Sequence, residues 1–441
     1  MNEYKSYMLN NFRTIPQLKN FSPEDLSDIE TVGTVLPFKT NNYVVDELID
    51  WSKVPDDPIF KLTFPQKEML LPEDFDLISA VKNAEADILK DAVSSIRRKL
   101  NPHPAGQVKN IPVLHGERLE GLQHKYRETV LFFPSHGQTC HAYCTFCFRW
   151  PQFTGADSMK FASRQTEKLV SYLELHPEVT DVLFTGGDPM VMKTKLLKEY
   201  ILPLLSDRLP NIQTIRIGTK SLSYWPYRFL TDNDSDELIS LFDKIVKSGK
   251  NLAIMSHFNH PVELSTEAVR KAIARIRSTG AQIRGQSPLL RHINDSPEVW
   301  AENWRMQVNL NCIPYYMFIA RDTGARHYFE VPLVDAWRIF REAYQKVSGV
   351  CRTVRGPSMS CTPGKVQLLG TAEIFGKKVF TLRMIQGRNP DWVARPFFAR
   401  YDEKATWFDE LKPAFGEDEF FFEKEPLQTR DFGGTFSFSE N

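Results

Sequence analysis

The pattern that most constrains this chain begins near residue 125. Short β-branched or aromatic runs recur there: TVLFF (129–133), DVLFTGG (181–187), TIRIGTK (214–220), LAIMSHF (252–258), QIRGQSP (282–288) and PYYMFI (314–319). Segments of helical periodicity lie between them: RQTEKLVSYLEL (164–175), DELISLFDKIVKSG (236–249), TEAVRKAIARIRSTG (266–280) and PEVWAENWRMQVNLN (297–311). VDAWRIFREAYQKV (334–347) follows the last run. Alternation at this spacing implies a parallel sheet, and six repeats predict an α/β fold, a partial (β/α)6 TIM-like barrel. A doubly wound open sheet would alternate in the same way, but no glycine-rich dinucleotide turn follows the first strand.

Around this core, at 125–347, the reading places two additions. Residues 1–110 form a mostly helical N-terminal region, with an amphipathic helix over 77–100 that the prolines and glycine of NPHPAGQVKNIP (101–112) bring to an end. Residues 348–441 form a C-terminal extension. Its RTVRGPSMSCTPGKVQLLG looks like loops, its KKVFTLRMIQ (377–386) like a strand, and its FGEDEFFFEKE like part of a packed tail. Basic and acidic residues balance, 55 against 55, so no bulk field points to nucleic acid or an anionic membrane. No apolar run approaches a membrane span and the N-terminus lacks a signal-type apolar stretch, so a cytoplasmic chain is expected.

Half of the six cysteines stand in one loop after the first strand, SHGQTCHAYCTFCFRWPQF (135–153), as C-x3-C-x2-C. In a reducing compartment clustered thiols read as metal-binding or catalytic. A closed zinc site wants four ligands, and only His136 or His141 could join Cys140, Cys144 and Cys147. A [4Fe–4S] cluster held by three thiolates keeps one iron open for chemistry. The aromatic Phe146, inside the second gap, could lie against a flat cofactor or simply pack.

The loop resembles the signature of radical S-adenosylmethionine (SAM) enzymes. More stretches, QHKYRETVLFF (123–133), HFNHP (257–261), GQSPLLRHIND (285–295), PGK (363–365) and DDPIFKLTFPQ (56–66), together resemble the lysine 2,3-aminomutase family. The resemblance implies a barrel of the radical SAM type. It also implies an isomerase that uses the cluster, SAM and pyridoxal 5′-phosphate (PLP). A 5′-deoxyadenosyl radical opens the reaction, which moves an α-amino group to the β-carbon. The substrate is an amino acid, a small molecule, and an electron donor such as flavodoxin or ferredoxin is the implied partner.

By the same resemblance, Gly186, Gly187 and Asp188 of TGGDP meet SAM, the glycines by close backbone approach and Asp188 by pairing with its ammonium. His257, Gln286 and Ser287 lie near SAM as well, with His260 close by. Lys365, in a P-G-K turn after the barrel, holds the PLP aldehyde, and Lys125 and Tyr126 contact PLP. Arg149 clamps the substrate α-carboxylate with its guanidinium fork. Without the resemblance, G-G-D is a strand-ending turn, Lys365 a surface lysine, His257 a core histidine and Arg149 an exposed side chain.

Two departures limit the likeness. Where the lysine-using members hold the distal amine with two aspartates, this chain has Ala320 and Ser358. Asp322 is displaced by two residues, and Arg321, Arg326 and Arg355 stand near. A buried ammonium without a carboxylate would cost several kcal/mol, so the expected substrate is an amino acid with an anionic or neutral polar side chain. The family's zinc cysteines are also missing: Ser296 occupies one position and no cysteine follows Cys361, so the family's oligomeric state is not carried over. Alternatives are lysine itself as substrate, another radical SAM reaction on an amine, or a non-catalytic iron–sulfur protein.

Overall fold

The computed structural model describes residues 3–102, 110–154 and 162–424. Most of the expected linker and the tail beyond residue 424 lie outside them. A hairpin, β1 (Leu122–Tyr126) and β2 (Thr129–Phe132), opens the main sheet. Parallel strands then follow in chain order: β3 (Asp181–Phe184), β4 (Thr214–Thr219), β5 (Asn251–His257), β6 (Gln282–Leu289), β7 (Ile313–Ile319) and β8 (Arg355–Ser360). The antiparallel strands β9 (Gly364–Ile374), β10 (Lys377–Gly387) and β11 (Pro396–Arg400) complete eleven.

From β2 to β7 each strand is followed by a helix before the next parallel strand, which gives six β/α units. The alternation in the sequence required this, because a parallel neighbour is reached only by a crossover. The helices bury the stripes their periodicity marks, as Leu238, Leu241, Phe242 and Ile245 do on the helix Ser235–Lys247. Ser296, at a missing zinc-cysteine position, caps the helix Pro297–Asn309 by accepting the Glu298 N–H.

The sheet is a curled, partial barrel. Flat, β1 and β8 would be separated by seven strand spacings, about 34 Å. Yet the Lys125 amine on β1 hydrogen-bonds the carbonyl of Cys361, one residue past β8. The Arg388 guanidinium, just past β10, likewise reaches Asn110, before β1. Side chains, not a backbone ladder, bring the two ends of the parallel run together.

Several expectations need correction. The segment read as loops after residue 351 is strand β8 and the start of β9. Lys365 therefore stands in a strand, paired across from Ser360, and not in a turn. The single helix expected over 77–100 is two, Pro72–Val81 and Ala86–Leu100, because Glu85 takes an extended conformation between them. In the extension, Phe420 and Phe422 stack and bury against Phe397 and Phe408. Among the described residues no helix is long and apolar enough to cross a membrane.

Candidate active site

The C-terminal ends of the parallel strands carry the chemistry-bearing residues. The cysteine loop leaves β2 and has little regular structure of its own, so its backbone groups find partners elsewhere. Much of that support comes from the N-terminal region. The Lys39 amine donates to the Cys140 carbonyl, and the Tyr4 hydroxyl and the Asn41 amide both donate to the His141 carbonyl. The N–H groups of Tyr143 and Thr145 donate to the carbonyls of Lys39 and Leu62.

Burial raises the pKa of all three thiols, and the neighbouring thiols add to this at Cys140, which senses Cys144 and Cys147, and at Cys144, which senses Cys147. The Arg149 N–H is directed at the Cys147 sulfur, and Cys144 lies 3.6 Å from the Tyr224 hydroxyl. Neither histidine weighed as a fourth ligand turns toward the thiols. His141 Nδ1 meets Ser221 at 2.9 Å, and His136 Nδ1 meets Tyr200 at 3.1 Å. Among the described residues no three His, Cys, Asp or Glu side chains converge on one metal ion. A cube spreads three thiolates over three irons and does not need such convergence. Phe146 packs edge-on against Phe329.

The glycine segment after β3 packs closely against the cysteine loop. A side chain at Gly186, whose φ is +144°, would strike Gln138, and one at Gly187 would come within 2.5 Å of the Thr139 backbone. These glycines admit the cysteine loop itself. Asp188 is buried and accepts from Thr219 Oγ1 (2.7 Å), Ser221 Oγ (2.9 Å) and the N–H groups of Met190 and Lys220 (2.9 Å each). Its own N–H donates to the carbonyls of Gly137 and Thr139. With its oxygens occupied from within, Asp188 joins three segments and is not presented to an ammonium ion.

His257, at the end of β5, meets the Gln286 amide on β6 at 3.2 Å, and burial lowers its pKa to about 3, so the ring is neutral. Ser287 is buried beside Gln286. His260 instead caps the short turn that follows it. A network the sequence reading did not anticipate lies alongside: the Lys220 amine pairs with buried Glu263 and donates to Asn259 Oδ1. Only the position of Lys220 at a strand end could have pointed to it.

Lys365 projects from β9 onto the inner face. Its amine lies 4.3 Å from the centre of the Tyr316 ring and 5.6 Å from that of Phe318, with no hydrogen bond or ion pair among the described residues. Burial, then the charges of Arg355, Arg216 and Lys125, lower its pKa to about 7. Lys125 is lowered to about 8, chiefly by burial. Tyr126 places its buried hydroxyl near Ser360 without a well-formed hydrogen bond.

Arg149 lies over the Phe133 ring at 4.4 Å, and its buried Nη1 has no partner. It senses the charges of Cys147, Arg321 and Cys140, and Arg321 donates to the Ser360 carbonyl, across from Lys365. Arg321 thus links Arg149 and the cysteine loop to the strand pair that carries Lys365, on the inner face of the curled sheet. Ser358 and Lys365 share its inner face, since Ser358 pairs with Gln367 and Ser360 with Lys365 on β9. Arg326 stands apart, paired with Glu330 and Glu410.

The donor sets suit the three implied groups. Three neighbouring thiols with a directed N–H suit a cluster, and a depressed, unpaired amine beside aromatic rings suits an aldehyde cofactor. Partnerless polar atoms at Arg149, Tyr126, Gln138 and Asn259 leave hydrogen-bonding capacity for ligands.

No protein-family model matches the chain. An Aquifex aeolicus protein provisionally named L-lysine 2,3-aminomutase is 30% identical over 400 residues, 91% of this chain and 94% of the relative. The L-lysine 2,3-aminomutase of Clostridium subterminale is 25% identical over 354 residues, 79% of this chain and 74% of that protein. Among solved structures, a radical SAM methyltransferase from Sphaerobacter thermophilus covers 53% of this chain and 68% of its own at 14% identity. Its TM-score of 0.38 is too low to argue from.

Proposed function

Because the chain belongs to the lysine 2,3-aminomutase family of radical SAM enzymes, we propose that it is a PLP-dependent 2,3-aminomutase of an α-amino acid other than lysine. One observation carries the reading: the Lys365 amine, with a pKa near 7, stands buried and unpaired among the described residues, against the Tyr316 ring and beside Arg355, Arg216 and Lys125.

In this reading Cys140, Cys144 and Cys147 would hold the [4Fe–4S] cluster. The neighbouring strand ends, with His257, Gln286 and Ser287, would hold SAM, and Lys365 would hold PLP with Lys125 and Tyr126 beside it. When bound, the cluster and SAM supply a carbon-centred radical, and PLP supplies the π-system through which nitrogen migrates. The reducing electron comes from an external donor of the flavodoxin or ferredoxin kind.

The chain's own residues set the conditions. Lys365 offers a free amine near neutral pH because burial and three neighbouring cations disfavour its proton. Tyr316 and Phe318 give that amine an apolar flank that limits water. Arg149, held over Phe133, keeps a buried N–H without a partner, which would be available to the substrate's α-carboxylate. The neutral His257 ring and the Gln286 amide fix each other's orientation. The inner face offers Ser358 where a lysine side chain would need a carboxylate, and basic residues surround it.

Anaerobically purified protein tests the proposal. PLP absorbance should be present and lost in Lys365→Ala, while reductive cleavage of SAM to 5′-deoxyadenosine should be lost in Cys144→Ala. Product analysis over a panel of amino acids should find β-amino acids. Faster turnover of lysine than of every other candidate would overturn the substrate reading, and an absence of bound PLP would overturn the mechanism.

A further inference from the structure

The arginines facing the barrel interior are not equivalent. Arg216 is paired with Asp181, and Arg284 donates to the Gln282 side-chain carbonyl at 2.7 Å. Arg355, the first residue of β8, has no hydrogen bond or ion pair with any described residue. It is held only by aromatic faces, its guanidinium carbon 4.2 Å from the centres of the Tyr315 and Tyr316 rings. A guanidinium supported by rings keeps its N–H fork free for an oxyanion.

Its position says what that oxyanion would belong to. Arg355 and the Lys365 amine both lie against Tyr316, so whatever is held at Lys365 extends within reach of Arg355. An irregular register along β8 pairs Arg355 with Tyr316 and Ser358 with Phe318, which turns both residues to the inner face. Two oxyanions are conceivable there, the phosphate of PLP and a carboxylate on the substrate side chain. The first has another suitable place: Lys125, Arg321 and Arg388 gather around Tyr126 and Cys361, at the opposite end of β8 from Arg355.

Resting on the aminomutase reading, we propose that Arg355 is the specificity-determining residue and pairs with a side-chain carboxylate, which makes the substrates acidic α-amino acids. A single charge-assisted fork is worth roughly tenfold to a hundredfold in affinity.

The test uses PLP-loaded protein without SAM, titrated anaerobically with glutamate, glutamine and lysine. Affinities are read from the cofactor's absorbance change, and PLP content is measured separately. Wild type should bind glutamate at least about tenfold more tightly than glutamine. Arg355→Gln should abolish that preference with PLP content unchanged, Arg355→Lys should retain part of it, and Arg355→Glu should favour lysine. Equal binding of glutamate and glutamine by wild type overturns the proposal. So does an Arg355→Gln protein that loses PLP but keeps its preference, since Arg355 would then serve the phosphate. If wild type takes up neither PLP nor any amino acid, the aminomutase reading falls first and this proposal with it.

Discussion

Removing the Asp188 side chain distinguishes a structural clasp from a ligand contact. In Asp188→Ala, four donors lose their acceptor: two hydroxyls, Thr219 and Ser221, and two backbone N–H groups, Met190 and Lys220. The hydroxyls can rotate toward other acceptors, whereas the N–H groups are fixed by the chain. A buried donor left unpaired costs about 1–3 kcal/mol, so the two N–H groups together lose about 2–6 kcal/mol. Part of this is returned, because burial pushes the Asp188 carboxyl up and works against its charge, while the same donors hold it down. The net loss is about 1–4 kcal/mol.

The assay is urea unfolding of cofactor-free protein followed by tryptophan fluorescence, with Asp188→Asn as the companion. The amide keeps an acceptor oxygen but turns an NH2 group toward donors, so it should fall between Ala and wild type. The clasp also reaches the cysteine loop, through His141 to Ser221 to Asp188 and through the bonds to Gly137 and Thr139. Both variants should therefore lose iron faster to a chelator once reconstituted. If Asp188→Ala unfolds within about 0.5 kcal/mol of wild type and only SAM affinity falls, the carboxylate faces ligand and the clasp argument is wrong.

Three further outcomes follow from the same geometry. PLP uptake by cofactor-free protein needs the unprotonated Lys365 amine, so its rate should rise with pH, reach half its maximum near 7 and then level off; stopped-flow absorbance measures it. Ser358→Asp sets a carboxylate on the inner face of Lys365, which favours the ammonium form, and should move that profile to higher pH by about one unit. Phe422→Ala removes a ring packed among Phe397, Phe408 and Phe420 and should cost about 3–5 kcal/mol in chemical denaturation, with SAM cleavage little changed.

What the sequence made legible was mostly what periodicity encodes. The six strands of the β/α units read clearly because each is a short apolar run bounded by an amphipathic helix. Strand β8 did not, since RGPSMS carries a glycine and a proline that also mark turns. Here the small residue serves packing: a side chain at Gly356 would lie 2.6 Å from the Met317 carbonyl on β7. Gly364 is similar, with the Gln386 carbonyl 2.2 Å from where its Cβ would be. Strand β1 was missed because LQHKY is polar, with His124 and Lys125 finding partners far along the chain. The cysteines, Arg149 and Lys365 were recognisable as candidates from their motifs, but the Lys220–Glu263 pair and the support of the cysteine loop depend on contacts between distant segments.

How the barrel closes and what it can hold are connected. A sheet completed by a backbone ladder would align neutral peptide groups along its last seam. Here the seam is made by the side chains of Lys125 and Arg388, donating to Cys361 and Asn110, so closing the fold also places two cations at the edge of the concavity. Arg321, donating to Ser360 and paired with the adjacent Asp322, adds a third, and Arg355, without an acidic partner among the described residues, a fourth. Asp181, the acidic group paired with Arg216 on β4, does not offset them. Like charges confined together in a poorly solvated space repel unless anions enter; burial is the larger cause of the lowered Lys365 pKa, and repulsion from Arg355, Arg216 and Lys125 adds to it. The positive field that adds to burial in lowering the Lys365 pKa thus disfavours a second amine from a lysine substrate and favours carboxylate and phosphate groups.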